Sequence, residues 1–577
     1  MSSKELASAS SDAPVSQPVD QPANQGEQDI QSSQPPDLPV KESPSDSPPA
    51  DRRQPVWKRS PFWRDRLVEA GMVCSMAAYY VVGNNYLGAS KLFHLNPFVS
   101  LPFLLIFAVL SWYRLSFAVA LLPMAVPYYF LEKPVYSHYE FELAEIALGV
   151  CVGIALIQVF LRGKHWTYWL SWREMRARVG LFVLPIAIFV VAAGVSVLIS
   201  FAHKDALRAF REEVFDPLVF LLLALYCLRE RQDVTRLLLA LFGAAFLIAL
   251  EGVAQYTLFK HTLALDSDGR VHAIFGSANN IGLFFDYSLP IGLALVIIGR
   301  RNLSNSLSFL RRWGARLLVL AMLLPMLAVL YLSQSRGSWV AIALAAILIV
   351  LLALRSRKLF IISGLALLAV CVAVAAFFHQ QIIDFFVLGH VDTAGISTVT
   401  KRIYLWESAL RIIRQYPVFG VGLDNWLCYY SRNTICVIPS LHQHYWITLV
   451  PGTNIPTGLN EEPNLSHPHN IFLHVWVSIG IFGLLAFIAL IALFYRLFAR
   501  VLKTVRALGS AAHPDLEWMV IGVGAAMLAG LIQGQVDSAF LAQDMAFCFW
   551  MLVTALLLLR VLTNTPWRGR IQSVQQE

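Results

Sequence analysis

Charge is scarce in this sequence. Asp, Glu, Lys and Arg make up 14% of the 577 residues, against about one quarter in a soluble globular domain. Hydrophobic residues reach 57%, and they fall into many separate runs, so a soluble domain with one large core is excluded. No Walker-type Gly-rich loop is present, and ATP is therefore not implied. No carboxylate cluster has metal-ligand spacing. The formal net charge is +8, but the basic residues lie between apolar runs, which points away from nucleic acid and towards cytoplasmic loops of a membrane protein.

The first 66 residues lack aromatics before Trp57 and are rich in Pro, Ser, Gln and Asp. Such a segment cannot bury enough apolar surface to fold. It also lacks the apolar run of a cleavable signal peptide. Arg52, Arg53, Lys58, Arg59, Arg64 and Arg66, mixed with Trp57, Phe62 and Trp63, read as a cytoplasmic collar with interfacial aromatics.

The apolar runs predict an all-α, polytopic membrane protein with roughly 12–14 transmembrane helices. The spans are expected near 67–87, 97–113, 115–131, 141–161, 180–201, 214–228, 236–259, 279–299, 317–334, 338–354, 359–378, 470–495, 517–536 and 543–562. Residues 1–66 form a cytoplasmic tail, 67–378 the first eleven spans, 379–468 an extracytoplasmic loop domain, 469–562 the last three spans, and 563–577 a second cytoplasmic tail. Lys and Arg concentrate in alternate loops, for example Arg173, Arg176 and Arg178, then Arg311, Arg312 and Arg316, then Arg500, Lys503 and Arg506. The cytoplasmic excess of Lys and Arg puts both termini inside. In the long outer loop, Ile403, Trp406, Leu410 and Ile413 recur at helical spacing, the pattern of an amphipathic helix at the membrane surface or against neighbouring helices. Cys428 and Cys436 share this loop, where a disulfide is possible.

Polar residues in apolar spans are costly and tend to be functional. Here they gather towards the outer side: Glu251, Asp286, Gln533, Gln535, Asp537, Gln543 and Asp544. Arg270 lies in an outer loop and Arg336 in the tight turn Ser333-Gln334-Ser335-Arg336-Gly337-Ser338. Lys204, Arg208 and Arg211 occupy another outer loop. Each alone reads as a solvated loop charge; together they describe a cationic chamber that opens outward. Arginine suits a diphosphate because its planar fork supplies charge and paired donors.

The most specific local pattern is Ser466-His467-Pro468-His469-Asn470, where the long loop enters a span. A neutral imidazole at His469 can take a proton from an attacking hydroxyl, and Asn470 can orient it. The same pair can instead cap a helix start. His467 and His469 could hold a metal, but the sequence offers no third ligand.

His469-Asn470, followed after nine residues by Gly480-x-x-Gly483, resembles the signature of the O-antigen ligase and polymerase superfamily. Ser335-Arg336-Gly337-Ser338-Trp339 is similar to its Ser-Arg-Gly-small-Trp turn. Arg402…Trp406 with Pro417-Val418-Phe419-Gly420-Val421-Gly422 is similar to its Arg…Trp…Pro-x-x-Gly-x-Gly stretch, and Arg270 with Asn279-Asn280 to its upstream Arg and Asn segment. The matches run in the family's order over roughly 200–485.

The resemblance implies a metal-independent, inverting transfer of a glycan from a polyprenyl diphosphate carrier, without a cofactor, at the extracytoplasmic face of a bacterial inner membrane. It implies that Arg336 and Arg270 bind the diphosphate and that His469 is the base or orients the acceptor. Arg208, Arg211, Arg402, Asn280, His467 and Asn470 are the expected substrate contacts. The acceptor, whether a glycan, a lipid or a protein, stays open. A transporter or flippase of lipid-linked sugars is the alternative, but it favours internal repeats and midplane charges, which the sequence does not show.

Overall fold

The computed structural model describes residues 61–82, 97–129, 133–136, 139–258, 269–299, 309–354, 356–377, 379–380, 398–430, 467–509 and 515–567. Residues up to 60, most of the segment 379–468 expected as an outer loop, and the last ten residues lie outside the described residues, as does Cys436. Cys428 is disulfide-bonded.

The described chain is a polytopic bundle of α-helices, and each expected span overlaps a helix. Among the described residues, eight helices are long and apolar enough to cross a membrane. Three shorter apolar helices, Phe98–Tyr113, Leu115–Met124 and Arg316–Leu332, accompany them. A two-stranded antiparallel hairpin, Lys133–Tyr136 with Tyr139–Phe141, interrupts this pattern. The sequence reading assigns no element between the spans 115–131 and 141–161.

Burial sorts the helices. The central windows of Ala278–Ile298, Leu516–Gln533 and Asp544–Leu562 are 78%, 83% and 83% buried, whereas Trp172–Ile199 and Arg336–Ala353 reach only 33% and 28%. The first three therefore form the interior, and the others turn an apolar face outward, as lipid contact requires. Small residues let the interior helices approach. A Cβ on Gly530 would meet the Tyr287 ring, and one on Gly522 would meet Ile291 and Ala294.

The helix Ile471–Leu508 is not continuous. Gly480 has φ 74° and ψ −173°, which breaks the helical path. The segment Pro417–Gly422 fills the break. Val421 N–H donates to the Val477 carbonyl (2.8 Å), Gly422 N–H to the Ser478 carbonyl (3.0 Å), and Ile481 N–H to the Pro417 carbonyl (3.1 Å). These bonds satisfy groups that the break would otherwise orphan. Gly420, at φ 72°, comes so close to this backbone that a Cβ would strike the Val477 carbonyl. One on Gly480 would strike that of Val418. The two glycine motifs of the sequence are thus two sides of one backbone junction.

Candidate functional site at the helix entry

Asn470 starts the broken helix. Its side-chain oxygen accepts from the Phe472 and Leu473 N–H groups, both at 3.0 Å, and its amide donates to the Gln535 carbonyl (3.0 Å). This satisfies two of the orphan donors at a helix start. Asn470 is therefore a cap and an anchor, with both ends of its amide committed. Ile471 N–H donates to the Gly534 carbonyl (2.7 Å) and ties the same entry to the loop after helix Asp515–Gln533.

His469 sits one residue earlier, with φ 50°. Positive φ is uncommon for a non-glycine residue, and two contacts hold it. Trp406 Nε1 donates to the His469 carbonyl (3.3 Å), and His469 Nδ1 lies 2.7 Å from Asp537 Oδ1. The Ser538 N–H also donates to that oxygen (2.8 Å). A carboxylate at Nδ1 favours the neutral tautomer that carries its proton there and leaves Nε2 as the acceptor. Asp537 is 2% exposed. Burial opposes its charge, but the neighbouring His469, with its hydrogen bond and the Arg402 charge, holds the carboxyl well below the usual range.

His467 stands beside this pair. Its ring centroid is 4.5 Å from that of His469, and its Nε2 is 3.8 Å from Asp537 Oδ1. Burial first, then His469 and His474, push its pKa well below the ordinary histidine value, so it stays neutral at pH 7. His474, one turn into the helix, bonds Ser538 Oγ at 2.5 Å. The donor atoms of His467, His469 and Asp537 all lie within 4.8 Å of one another. Two imidazoles and a carboxylate are a chemically suitable set for zinc. The third ligand that the sequence does not reveal is therefore present in space.

Helix Thr398–Gln415 lies over this entry, carrying Arg402 and Trp406 on successive turns. Its buried residues are Leu405, Ser408, Ala409, Ile412 and Ile413. The helix matches the sequence expectation, but its face is rotated. Ile403 and Leu410 are each 44% exposed, while Leu405 and Ala409 pack in a cluster with Val477 and Trp426. Periodicity alone gives several overlapping apolar stripes on such a helix, and the packing partner selects one.

The arginine turn is built on the neighbouring interior helices. Arg336 opens helix Arg336–Ala353 and is half-buried. Ser338 Oγ donates to Asp286 Oδ2 (3.0 Å), and Ser335 Oγ donates to Ser338 (3.2 Å). A Cβ on Gly337 would collide with the Gln533 side chain, and one on Gly282 with the Ser335 and Ser338 hydroxyls. Arg270 Nε donates to the Ser333 carbonyl (2.8 Å), and its Nη2 donates to Asn279 Oδ1 (2.6 Å). Asn280, beside it, donates its N–H to the Ser277 carbonyl in the first turn of helix Ala278–Ile298.

Residues 533–537 join the two halves. Gln533 packs on Gly337 beside Arg336, Gly534 and Gln535 hold Ile471 and Asn470, and Asp537 holds His469. Arg208 and Arg211 stand in a different network. Arg208 Nε is 3.0 Å from Glu212. Arg211 is 2.9 Å from Glu145 and 2.6 Å from Glu212, and it lies over the Phe141 ring of the hairpin. Arg208 lies in helix His203–Ala209 and Arg211 in the π-helical turn Phe210–Phe215 that continues it, a geometry frequent at functional sites.

Residues 320–488 match the O-antigen ligase family. The matched segment holds Arg336, Arg402, the Pro417–Gly422 junction and the His467–Gly483 motif, in fewer than a third of the 577 residues. Arg208, Arg211, Arg270, Asn280 and Asp537 lie outside it. No curated protein matches the chain. The match and the helices together describe a multi-pass membrane protein of O-antigen and cell-surface polysaccharide processing.

Proposed function

We propose that this protein is an O-antigen ligase- or polymerase-type glycan transferase. It moves a glycan from a polyprenyl diphosphate carrier to an acceptor hydroxyl at the extracytoplasmic face of the inner membrane. The observation that carries this reading is the His469–Asp537 pair at a helix entry, joined through residues 533–537 to the Arg336 turn.

In this reading His469 Nε2 takes the proton of the acceptor hydroxyl as its oxygen attacks the anomeric carbon. The bond to the diphosphate breaks, the electron pair leaves with the carrier, and the sugar configuration inverts. Arg336 and Arg270 bind the diphosphate, and the positive end of helix Arg336–Ala353 adds to their field. Asp537 orients the imidazole and stabilises its protonated form. Arg402, near enough to Asp537 to favour its charge, is an added contact for the leaving group or the acceptor. Arg208 and Arg211 contact substrate only if it reaches their carboxylate-paired network.

The test is transfer by the purified protein in nanodiscs, with and without EDTA. A positioned base contributes on the order of 100- to 10,000-fold, so His469→Ala should lose activity on that scale with donor still bound. His467→Ala should lose much less, and EDTA should change nothing. Equal damage from both substitutions, with EDTA-sensitive activity restored by one divalent cation, would replace the base with a metal held by His467, His469 and Asp537.

A further inference from the structure

We infer that an apolar cavity outside the family-matched segment holds the first isoprene units of the carrier lipid. The inference rests on the reading above, because it assumes a polyprenyl diphosphate at Arg270. The cavity measures about 380 Å³, within the range of roughly 300–1,000 Å³ typical of small-molecule sites. Its walls come from helices Pro61–Val81, Leu101–Tyr113, Leu115–Leu121, Leu143–Arg162 and Arg231–Thr257. Met72, Met76, Phe107, Leu122, Ala147 and Leu247 are representative of its almost wholly apolar lining.

The position of this cavity identifies its occupant. Ala273 and Ile274 form part of the wall, and they belong to the loop that carries Arg270. Three residues of fully extended chain span no more than about 11 Å, so the guanidinium-bearing backbone stays within that distance of the wall. Gln255, also on the wall, clamps this loop. Its Oε1 accepts from the His272 and Ala273 N–H groups at 3.3 and 2.9 Å. The few polar side chains of the wall include Tyr128, whose Oη donates to Glu251 Oε1 at 3.0 Å. An anion held at Arg270 with one apolar chain attached would bring the start of that chain beside this apolar slot. Helix Leu101–Tyr113 behind the slot turns Leu105 and Val109 outward, 65% and 60% exposed, as a lipid-facing wall does.

The experiment varies the length of the lipid. Ala118→Leu and Ala147→Leu each add carbon to the cavity wall. Transfer is measured with one glycan on two carriers, a full-length polyprenyl diphosphate and a short soluble analogue of two isoprene units that leaves the deep part of the slot empty. Excluding two methylene groups from burial corresponds to about tenfold in affinity. KM for the long carrier should therefore rise about tenfold or more, and KM for the short one should stay level. An equal rise for both carriers, or no rise for either in folded protein, would overturn the assignment. A second measurement uses the wild-type chain and needs no transfer chemistry. A sugar-free, photoactivatable polyprenyl diphosphate should crosslink to peptides carrying Met72, Met76 or Leu247, with competition by unlabelled carrier and not by excess phosphatidylethanolamine. Labelling elsewhere, or competition by the phospholipid, would overturn it. Failure of wild-type transfer would sink the functional reading while the crosslink still decides the cavity.

Discussion

Asp537 shows what one side chain adds to the histidine motif. It is buried, it accepts from the backbone of Ser538, and it holds His469 in an unusual backbone conformation. Asp537→Asn keeps the shape, removes the charge and permits the amide to donate to Nδ1, which would place the imidazole proton on Nε2. A wrong tautomer disables a base without moving it. We expect kcat to fall between about 100- and 10,000-fold, with KM for the donor little changed. Steady-state kinetics on the purified variant read both constants. A wild-type kcat would remove Asp537 from the mechanism. The residue types were legible in the sequence, since His469, Arg336, Arg270 and Asp537 are all costly groups near one side of the membrane. The pairing was not, because 68 positions separate His469 from Asp537 and no local spacing rule links them. The metal-capable geometry was hidden for the same reason.

At the scale of elements, the junction between Pro417–Gly422 and the break at Gly480 positions the site. It fixes where helix Ile471–Leu508 starts, and with it His469. Holding a residue with a side chain in a conformation reserved for glycine costs of order 1–3 kcal/mol, and at Gly480 a Cβ would also meet the Val418 backbone. Gly480→Ala should therefore lower the thermal midpoint in detergent. Gly483→Ala, three residues on, meets only the Ile479 side chain and should cost less. Equal midpoints for the two variants would contradict the junction as a structural clamp. The helices themselves were readable from run length, because a bilayer imposes the length. The buried face of helix Thr398–Gln415 was not, because its partner is the distant Val477 cluster. The hairpin at Lys133–Tyr136 was missed because a short strand in a connector carries almost no periodic signal.

For the whole molecule, the arginines anchor one end of the bundle. Arg236 pairs with Glu69 (2.6 Å), Arg506 with Glu517 (3.2 Å), and Arg560 Nη1 donates to the Ala177 carbonyl (3.1 Å). The histidine motif and the Arg336 turn sit at the opposite ends of their helices. The excess of Lys and Arg at that end predicts that it is cytoplasmic and that the site faces outward. A cysteine introduced at position 460 should react with an impermeant maleimide in intact spheroplasts, whereas one at position 510 should react only after permeabilisation. The reverse pattern would invert the topology and move the site to the cytoplasm.

The clamp at Gly480 also separates two kinds of change. Gly422 and Ser478 are joined by a backbone hydrogen bond, so the 55 or so residues between them, as counted along the chain, form a loop with its ends already closed. Lengthening that loop twofold adds only about 0.6 kcal/mol of closure entropy. By this rule a longer or shorter segment after Cys436 changes closure entropy little, and the groups that would carry the proton and the diphosphate lie in other segments. A chain built this way can change what it presents to an acceptor without rebuilding the machinery that would use it.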